Sequence, residues 1–149
     1  MQDKEHRENR KNTKYFPHAQ LTYNILSSVF EVRNIYGSGQ KELVYQNALA
    51  EALDKRNIKY QREVSIKIIS LESSKTLGSY KLDFLIDKKV ILEVKSLKFT
   101  PSKIEQQLYS YLKSTEYEVG FLVNFGSTNL FYKRVILTND RKHKISVSV

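Results

Sequence analysis

Two apolar segments near the middle of the chain, residues 80–86 and 90–95, each carry one acidic residue. Asp83 lies in the first, and the second holds Glu93 followed two positions later by Lys95. Alternate residues of an extended strand share a face, at a rise of ~3.3 Å per residue. Glu93 and Lys95 are therefore expected on one side of a strand, separated by ~7 Å along it.

The short connection between these segments sets their register. If residues 87–89 form a three-residue hairpin loop, Asp83 lies directly across from Glu93, with Cβ atoms ~5 Å apart. Two carboxylates this close repel each other in a half-buried sheet unless a cation lies between them. Oxygen ligands favour Mg²⁺ or Mn²⁺, and a nearby lysine can orient water or stabilise a charged transition state.

An ordinary cross-strand pair, with Lys95 neutralising one of the acids, is the alternative interpretation of the same residues. The neighbours of Glu93 are bulky and apolar, namely Ile91, Leu92 and Val94. A strand of this kind is typically covered on both faces, where a charged pair is costly. The composition of the strand therefore favours a chemical role.

Two helical patterns add further candidates. Glu42 shares a helical stripe with the apolar-side residues Tyr45, Leu49 and Leu53, from which a carboxylate can reach a metal over the sheet. The alternative is that Gly39 caps the helix and Glu42 occupies the third helical position, where acids favour the helix dipole.

Gln107 and Tyr111 are four residues apart on a later helix and share a face. Both side chains can hydrogen-bond a phosphate oxygen or a metal-bound water. For Tyr111, packing against the core is the competing interpretation.

Hydrophobic periodicity predicts the elements that position these residues. Thr100 is expected to cap the third helix, with Pro101 in its first turn. The predicted elements are helices at 16–35, 40–56 and 100–114, and strands at 64–68, 80–86, 90–96, 119–125 and 130–137. This order predicts an α/β sandwich with a mixed sheet. The first strands are expected to be antiparallel, and a later strand is expected to be reached by a helical crossover.

Length and composition fit one globular domain at residues 16–149 behind a polar leader at residues 1–15. No apolar run approaches the ~20 residues that span a bilayer, and the N-terminus lacks a signal-peptide pattern. A cytoplasmic protein without membrane contact is expected. Cysteine is absent and the three histidines are scattered, which argues against disulfides and zinc. The net charge of +9 fits a polyanionic partner.

Five motifs in order resemble the PD-(D/E)XK nuclease superfamily, and within it the small GxxExxY family. The motifs are GQKELVY at 39–45, Asp83, EVK at 93–95, QLYSYL at 107–112 and GFLVNFG at 120–126. The likeness extends over about residues 20–137. It implies a restriction-endonuclease-like α/β fold with a mixed β-sheet flanked by helices.

The resemblance also implies roles for individual residues. Asp83 and Glu93 would be metal ligands, Lys95 the catalytic lysine and Glu42 an acidic partner from a helix. Three positions depart from the family pattern: Leu82 replaces a proline, and Arg33 and Ile104 stand where histidines are expected.

The predicted function is therefore Mg²⁺- or Mn²⁺-dependent hydrolysis of phosphodiester bonds in DNA, or in RNA. The metal ligands would be Asp83, Glu93 and Glu42, and the wider site comprises Glu42, Asp83, Glu93, Lys95, Gln107 and Tyr111. A non-catalytic nucleic-acid-binding or assembly module that keeps the fold is the alternative. Homodimer formation is left open.

Overall fold

The computed structural model describes residues 16–143 and 146–148, so the predicted leader at 1–15 lies outside the described residues. In chain order the elements are α1 (Ala19–Tyr36), α2 (Glu42–Lys55), β1 (Tyr60–Ile69), β2 (Thr76–Ile86), β3 (Val90–Lys95), α3 (Ser102–Lys113), β4 (Val119–Asn124), β5 (Phe131–Ile136), a 3-10 turn (Asn139–Arg141) and β6 (Ser146–Ser148). Within the described residues, no helix is long and apolar enough to cross a membrane.

The strands form one mixed sheet in the order β5-β4-β3-β2-β1-β6. β3 and β4 are parallel, and every other neighbouring pair is antiparallel. Parallel neighbours need a crossover, which α3 supplies between them. The predicted α/β architecture with a mixed sheet is confirmed, while β6 was not predicted from the sequence.

Helices cover both faces of the sheet. α1 and α2 pack on one face through a cluster that includes Leu49, Phe84 and Leu92, and α3 packs on the other with Leu108 against Ile91 and its neighbours. Every residue of β4 is buried, and β3 is buried up to its last residue. Strands buried on both faces explain the continuous apolar runs in the sequence.

β1 and β2 change layers partway along their length. Leu82 and Leu85 both belong to the cluster under α3, whereas Phe84 belongs to the cluster under α1 and α2. Strict alternation would place Leu82 with Phe84. The change falls at Asp83 and at Glu63, which lies opposite it in the register and has a φ of 53°. A non-glycine residue in the left-handed region reorients the strand at this point.

Both helix starts that carry a predicted cap differ from the prediction. The N-cap of α2 is Lys41 rather than Gly39, so Glu42 is the first helical residue instead of the third. The N-cap of α3 is Pro101, and Thr100 makes no capping hydrogen bond. The Thr100 hydroxyl instead accepts a long-range hydrogen bond, which is described with the site below.

Candidate active site

Asp83 and Glu93 meet where the β2–β3 ladder ends. The predicted register is present, with Phe84 opposite Leu92, but backbone pairing stops there. The Asp83 N–H donates to Glu93 Oε1 at 3.2 Å, and the Val94 N–H donates to Asp83 Oδ2 at 2.8 Å. Carboxylates thus replace backbone carbonyls as acceptors between the strands. Each acid is held by the neighbouring strand, which fixes the position of both.

The Glu93 carboxyl is strongly perturbed by its surroundings. Glu93 is only 3 % exposed, and burial raises the pKa of its carboxyl to about 9. The negative charge of Asp83 acts in the same direction, whereas the hydrogen bond from the Asp83 backbone and the charge of Lys95 oppose it. Ionising both acids at once is therefore unfavourable until a cation compensates them.

Lys95 and Glu42 approach the same pair from different elements. Burial raises the pKa of the Glu42 carboxyl at the start of α2; the negative charge of Asp83 adds to this, and the positive charge of Lys95 opposes it. Lys95 ends β3 and is partly buried. No ion pair among the described residues joins Lys95 to any of these acids. The alternative interpretation, in which Lys95 neutralises one of the acids in an ordinary cross-strand pair, is therefore not supported by a direct contact.

Tyr111 faces the acidic pair from α3, one turn after Gln107. Tyr111 is 4 % exposed, with its ring 5.0 Å from that of Tyr80. Burial raises the pKa of the Tyr111 phenol to about 12, with the charges of Glu93 and Asp83 adding to the effect. The phenol therefore remains a hydrogen-bond donor at neutral pH. Gln107 is exposed, and its side chain makes no hydrogen bond among the described residues.

Tyr45 fixes the loop that leads into Glu42. Its hydroxyl donates to the Gly37 carbonyl at 2.7 Å and accepts the Gln40 N–H at 3.1 Å. Its ring stacks on Phe125 with centroids 4.5 Å apart and planes 7° apart. The tyrosine of the 39–45 motif thus ties the loop before α2 to the end of β4. This is a positioning role that the sequence did not reveal.

Asn124 fixes the segment that follows Lys95, and sequence analysis missed it. Its side chain is fully buried. Asn124 Oδ1 accepts the N–H groups of Leu97 at 2.9 Å and Gly126 at 3.0 Å. Asn124 Nδ2 donates to the Leu97 carbonyl at 3.0 Å and to Thr100 Oγ1 at 2.8 Å. An asparagine at the end of a continuous apolar run was the available signal, since buried amides need partners.

Gly126 lets the backbone after β4 approach the backbone after β3. A Cβ at this position would lie 2.4 Å from the Leu97 nitrogen, which side chains cannot relieve. Gly126→Ala should therefore lower the free energy of unfolding by about 1–3 kcal/mol or more in urea titration. Gly78→Ala is the matched control because nothing lies within 4 Å of its Cβ. Equal stability of both variants would contradict the close approach.

Arg33 and Ile104, at the two positions where the resemblance leads one to expect histidine, make structural contacts. The Arg33 guanidinium donates to the carbonyls of Phe125 at 2.8 Å, Ser127 at 3.0 Å and Thr128 at 2.7 Å. It thereby ties α1 to the loop after β4. Ile104 packs at the edge of the cluster under α3.

The acidic pair fits a hard divalent cation. Asp83 and Glu93 each use one oxygen to accept a backbone N–H, and a hydrogen bond between the two carboxyls contributes to the raised pKa of Glu93. An all-oxygen donor set with water completing the shell suits Mg²⁺ or Mn²⁺. Within the described residues, no three Asp, Glu, His or Cys side chains are grouped as a metal site. The charges of Asp83 and Lys95 nevertheless act on the Glu42 carboxyl, so Glu42 lies near the pair.

A groove with a volume of about 930 Å³ lies elsewhere, around the β2–β3 turn. Its lining includes Asp54, Asn57, Lys59, Tyr60, Asp87 and Lys88. None of the predicted site residues lines this groove. Chemistry rather than cavity size therefore locates the candidate active site.

The mixed sheet, the helices on both faces and the acidic pair between two strands define a restriction-endonuclease-like α/β protein. Residues 19–135 match the model of the PD-(D/E)XK nuclease superfamily, and the chain belongs to that superfamily. No curated protein matches the chain. Among solved structures, the crystal structure of SSO0001 is 14 % identical, covers 85 % of this chain and 82 % of its own, and has a TM-score of 0.47.

Proposed function

We propose that this protein is a divalent-metal-dependent nuclease of the GxxExxY type, which hydrolyses phosphodiester bonds in DNA or, as the alternative, in RNA. The observation that carries the proposal is the Asp83–Glu93 pair. Glu93 is buried beside a second carboxyl at a cost that a bound cation offsets. A superfamily of nucleases supports the same reaction class.

Asp83 and Glu93 would hold Mg²⁺ or Mn²⁺, and Glu42 is the proposed additional ligand from α2. When bound, the metal supplies charge stabilisation for the phosphate and a water of lowered pKa. Lys95 would position the water or the scissile phosphate through its ammonium group. Tyr111 would donate its hydroxyl proton in a hydrogen bond to a phosphate oxygen.

Gln107 has a more peripheral place in this proposal. It is exposed on α3, one turn before Tyr111. We assign it to the approach of the nucleic-acid strand rather than to the acidic pair, because amide side chains bind phosphate oxygens readily.

A non-catalytic binding or assembly module is disfavoured by the same acidic pair. Two carboxylates facing a polyanion weaken phosphate binding, which depends on positive charge. A module that only bound nucleic acid would gain nothing from burying Glu93 beside Asp83.

A cleavage assay over labelled single-stranded and double-stranded DNA and RNA tests the proposal. Cleavage is expected with Mg²⁺ or Mn²⁺, loss of cleavage in EDTA, and poor turnover with Ca²⁺. Absence of metal-stimulated cleavage on the whole panel would reject the nuclease assignment.

Calorimetry tests the metal ligands separately. The heat of Mg²⁺ or Mn²⁺ binding should vanish in Asp83→Ala, because half of the acidic pair is removed. Glu72→Ala, which removes an exposed acid from the β1–β2 hairpin, is the matched control and should bind metal as the wild type does. Unchanged metal binding in Asp83→Ala would place the ion elsewhere.

A further inference from the structure

The segment after Lys95 presents an aromatic ring to solvent. Phe99 is 75 % exposed, more than any other large hydrophobic residue that the structure describes. Single exposed apolar residues are common on protein surfaces and need no special role. The surroundings of Phe99 distinguish it from such residues.

The chain is anchored on both sides of Phe99. Asn124 bonds the N–H and the carbonyl of Leu97 on one side and the hydroxyl of Thr100 on the other. The close approach of Gly126 to Leu97 holds the same segment against β4. A ring presented by an ordered backbone loses little conformational entropy when a partner stacks on it.

A positive charge accompanies the ring. Lys98 Nζ lies 5.8 Å from the centroid of the Phe99 ring. The ion pairs of the described residues do not include Lys98, so its ammonium is not neutralised by a neighbouring acid. An aromatic face beside a cation is the combination that binds single strands, with a base on the ring and a phosphate at the charge.

We propose that Phe99 is a stacking platform for an unpaired base, and that the preferred substrate is a single strand or an unpaired duplex end. The inference rests on the proposed nuclease function and names the substrate class of the same site. Phe99 is four residues from Lys95, hence within ~14 Å of it along the chain. That reach corresponds to about four nucleotides of a stacked strand at ~3.4 Å each. Inside a duplex, both faces of each base are already stacked, so free faces are confined to unpaired bases and to the outer sides of the terminal pairs.

Fluorescence gives a direct test because the chain contains no tryptophan. Phe99→Trp introduces a single reporter at the proposed platform, and Tyr23→Trp places one at a 67 % exposed site on α1 as the matched control. Both variants are titrated with a single-stranded oligonucleotide and a blunt duplex in EDTA, where no metal-dependent cleavage occurs. In Phe99→Trp, the single strand should quench the indole fluorescence saturably, with little change for the duplex or for the control variant.

Affinity measured by anisotropy provides the second readout. Phe99→Ala should weaken binding of the single strand about tenfold or more and change duplex binding less than about twofold. Phe99→Tyr should restore binding, since any flat ring suffices. Equal quenching of Phe99→Trp by the duplex would indicate a wedge inserted between base pairs and overturn the proposal. Single-strand binding that leaves the fluorescence of Phe99→Trp unquenched, or no binding of any nucleic acid, would overturn it as well.

The nuclease proposal fails independently of this one. Wild-type protein that stacks a single strand in EDTA but cleaves nothing with Mg²⁺ would support the platform and reject the nuclease. The opposite outcome is cleavage by the wild type with Mg²⁺ and an unchanged affinity of Phe99→Ala for single strands. That result would support the nuclease and reject the platform.

Discussion

Lys95→Ala should reduce phosphodiester cleavage by about two orders of magnitude or more, the usual effect of losing one preorganised electrostatic group. The Lys95 ammonium lies near enough to Glu93 and Glu42 to influence both carboxyls, yet it is bonded to neither. Its charge is therefore available to the reacting phosphate or water. Affinity for nucleic acid should fall only slightly, because one phosphate contact among several is lost. Initial cleavage rates and anisotropy measure the two effects.

Lys89→Ala is the matched control, because it also removes one positive charge. Lys89 is a half-exposed lysine in the β2–β3 turn, and its removal should leave cleavage within about twofold of wild type. Thermal melts separate chemistry from stability, and Lys95→Ala should melt close to wild type. A variant that keeps its cleavage rate, or that loses cleavage only together with its melting transition, would remove Lys95 from the reaction.

The central part of the fold follows from local patterns. The apolar runs at β3 and β4 predicted strands that are buried on both faces, and the structure confirms this. The three-residue connection at 87–89 predicted the β2–β3 register correctly. Loop length and side-chain alternation determine register locally, so one sequence suffices to predict it.

Local sequence patterns could not predict features that depend on contacts between residues distant in sequence. The left-handed conformation at Glu63, which moves β1 and β2 between layers, carries no glycine to signal it. Thr100 was expected to cap α3, but its hydroxyl accepts a hydrogen bond from Asn124 instead. Tertiary contacts override local preferences in each case.

The candidate site likewise contains residues that local patterns predict and residues that they do not. Asp83, Glu93 and Lys95 could be predicted because strand geometry alone brings them together. The partners of Tyr45 and Asn124 could not, since Tyr45 stacks on Phe125 and Asn124 bonds Leu97, both of which are remote in sequence. The acids were found from their charge, whereas the contacts that position them are visible only in the fold.

Glu93→Gln should stabilise the metal-free protein by an amount that grows with pH. The pKa of Glu93 is raised to about 9 in the folded protein, against an ordinary value of 4.5. The folded state thus holds a proton that the unfolded state releases, so the wild type loses stability as pH rises from 4.5 towards 9. Glutamine is uncharged throughout and loses nothing. In EDTA, the variant should melt near wild type at about pH 5 and about 3 °C or more above it at about pH 8.5.

At high pH, adding Mg²⁺ should reverse the order of the melting temperatures of the wild type and Glu93→Gln. Mg²⁺ should bind the ionised pair and raise the melting temperature of the wild type, whereas Glu93→Gln lacks one of the two charges and should respond little. Glu72→Gln, at an exposed acid, is the control and should follow the wild type under both conditions. A difference between wild type and Glu93→Gln that stays constant from about pH 5 to about pH 8.5 would mean that Glu93 titrates normally. In that event the burial of two carboxylates would carry no cost for a cation to offset, and the physical basis of the metal assignment would be lost.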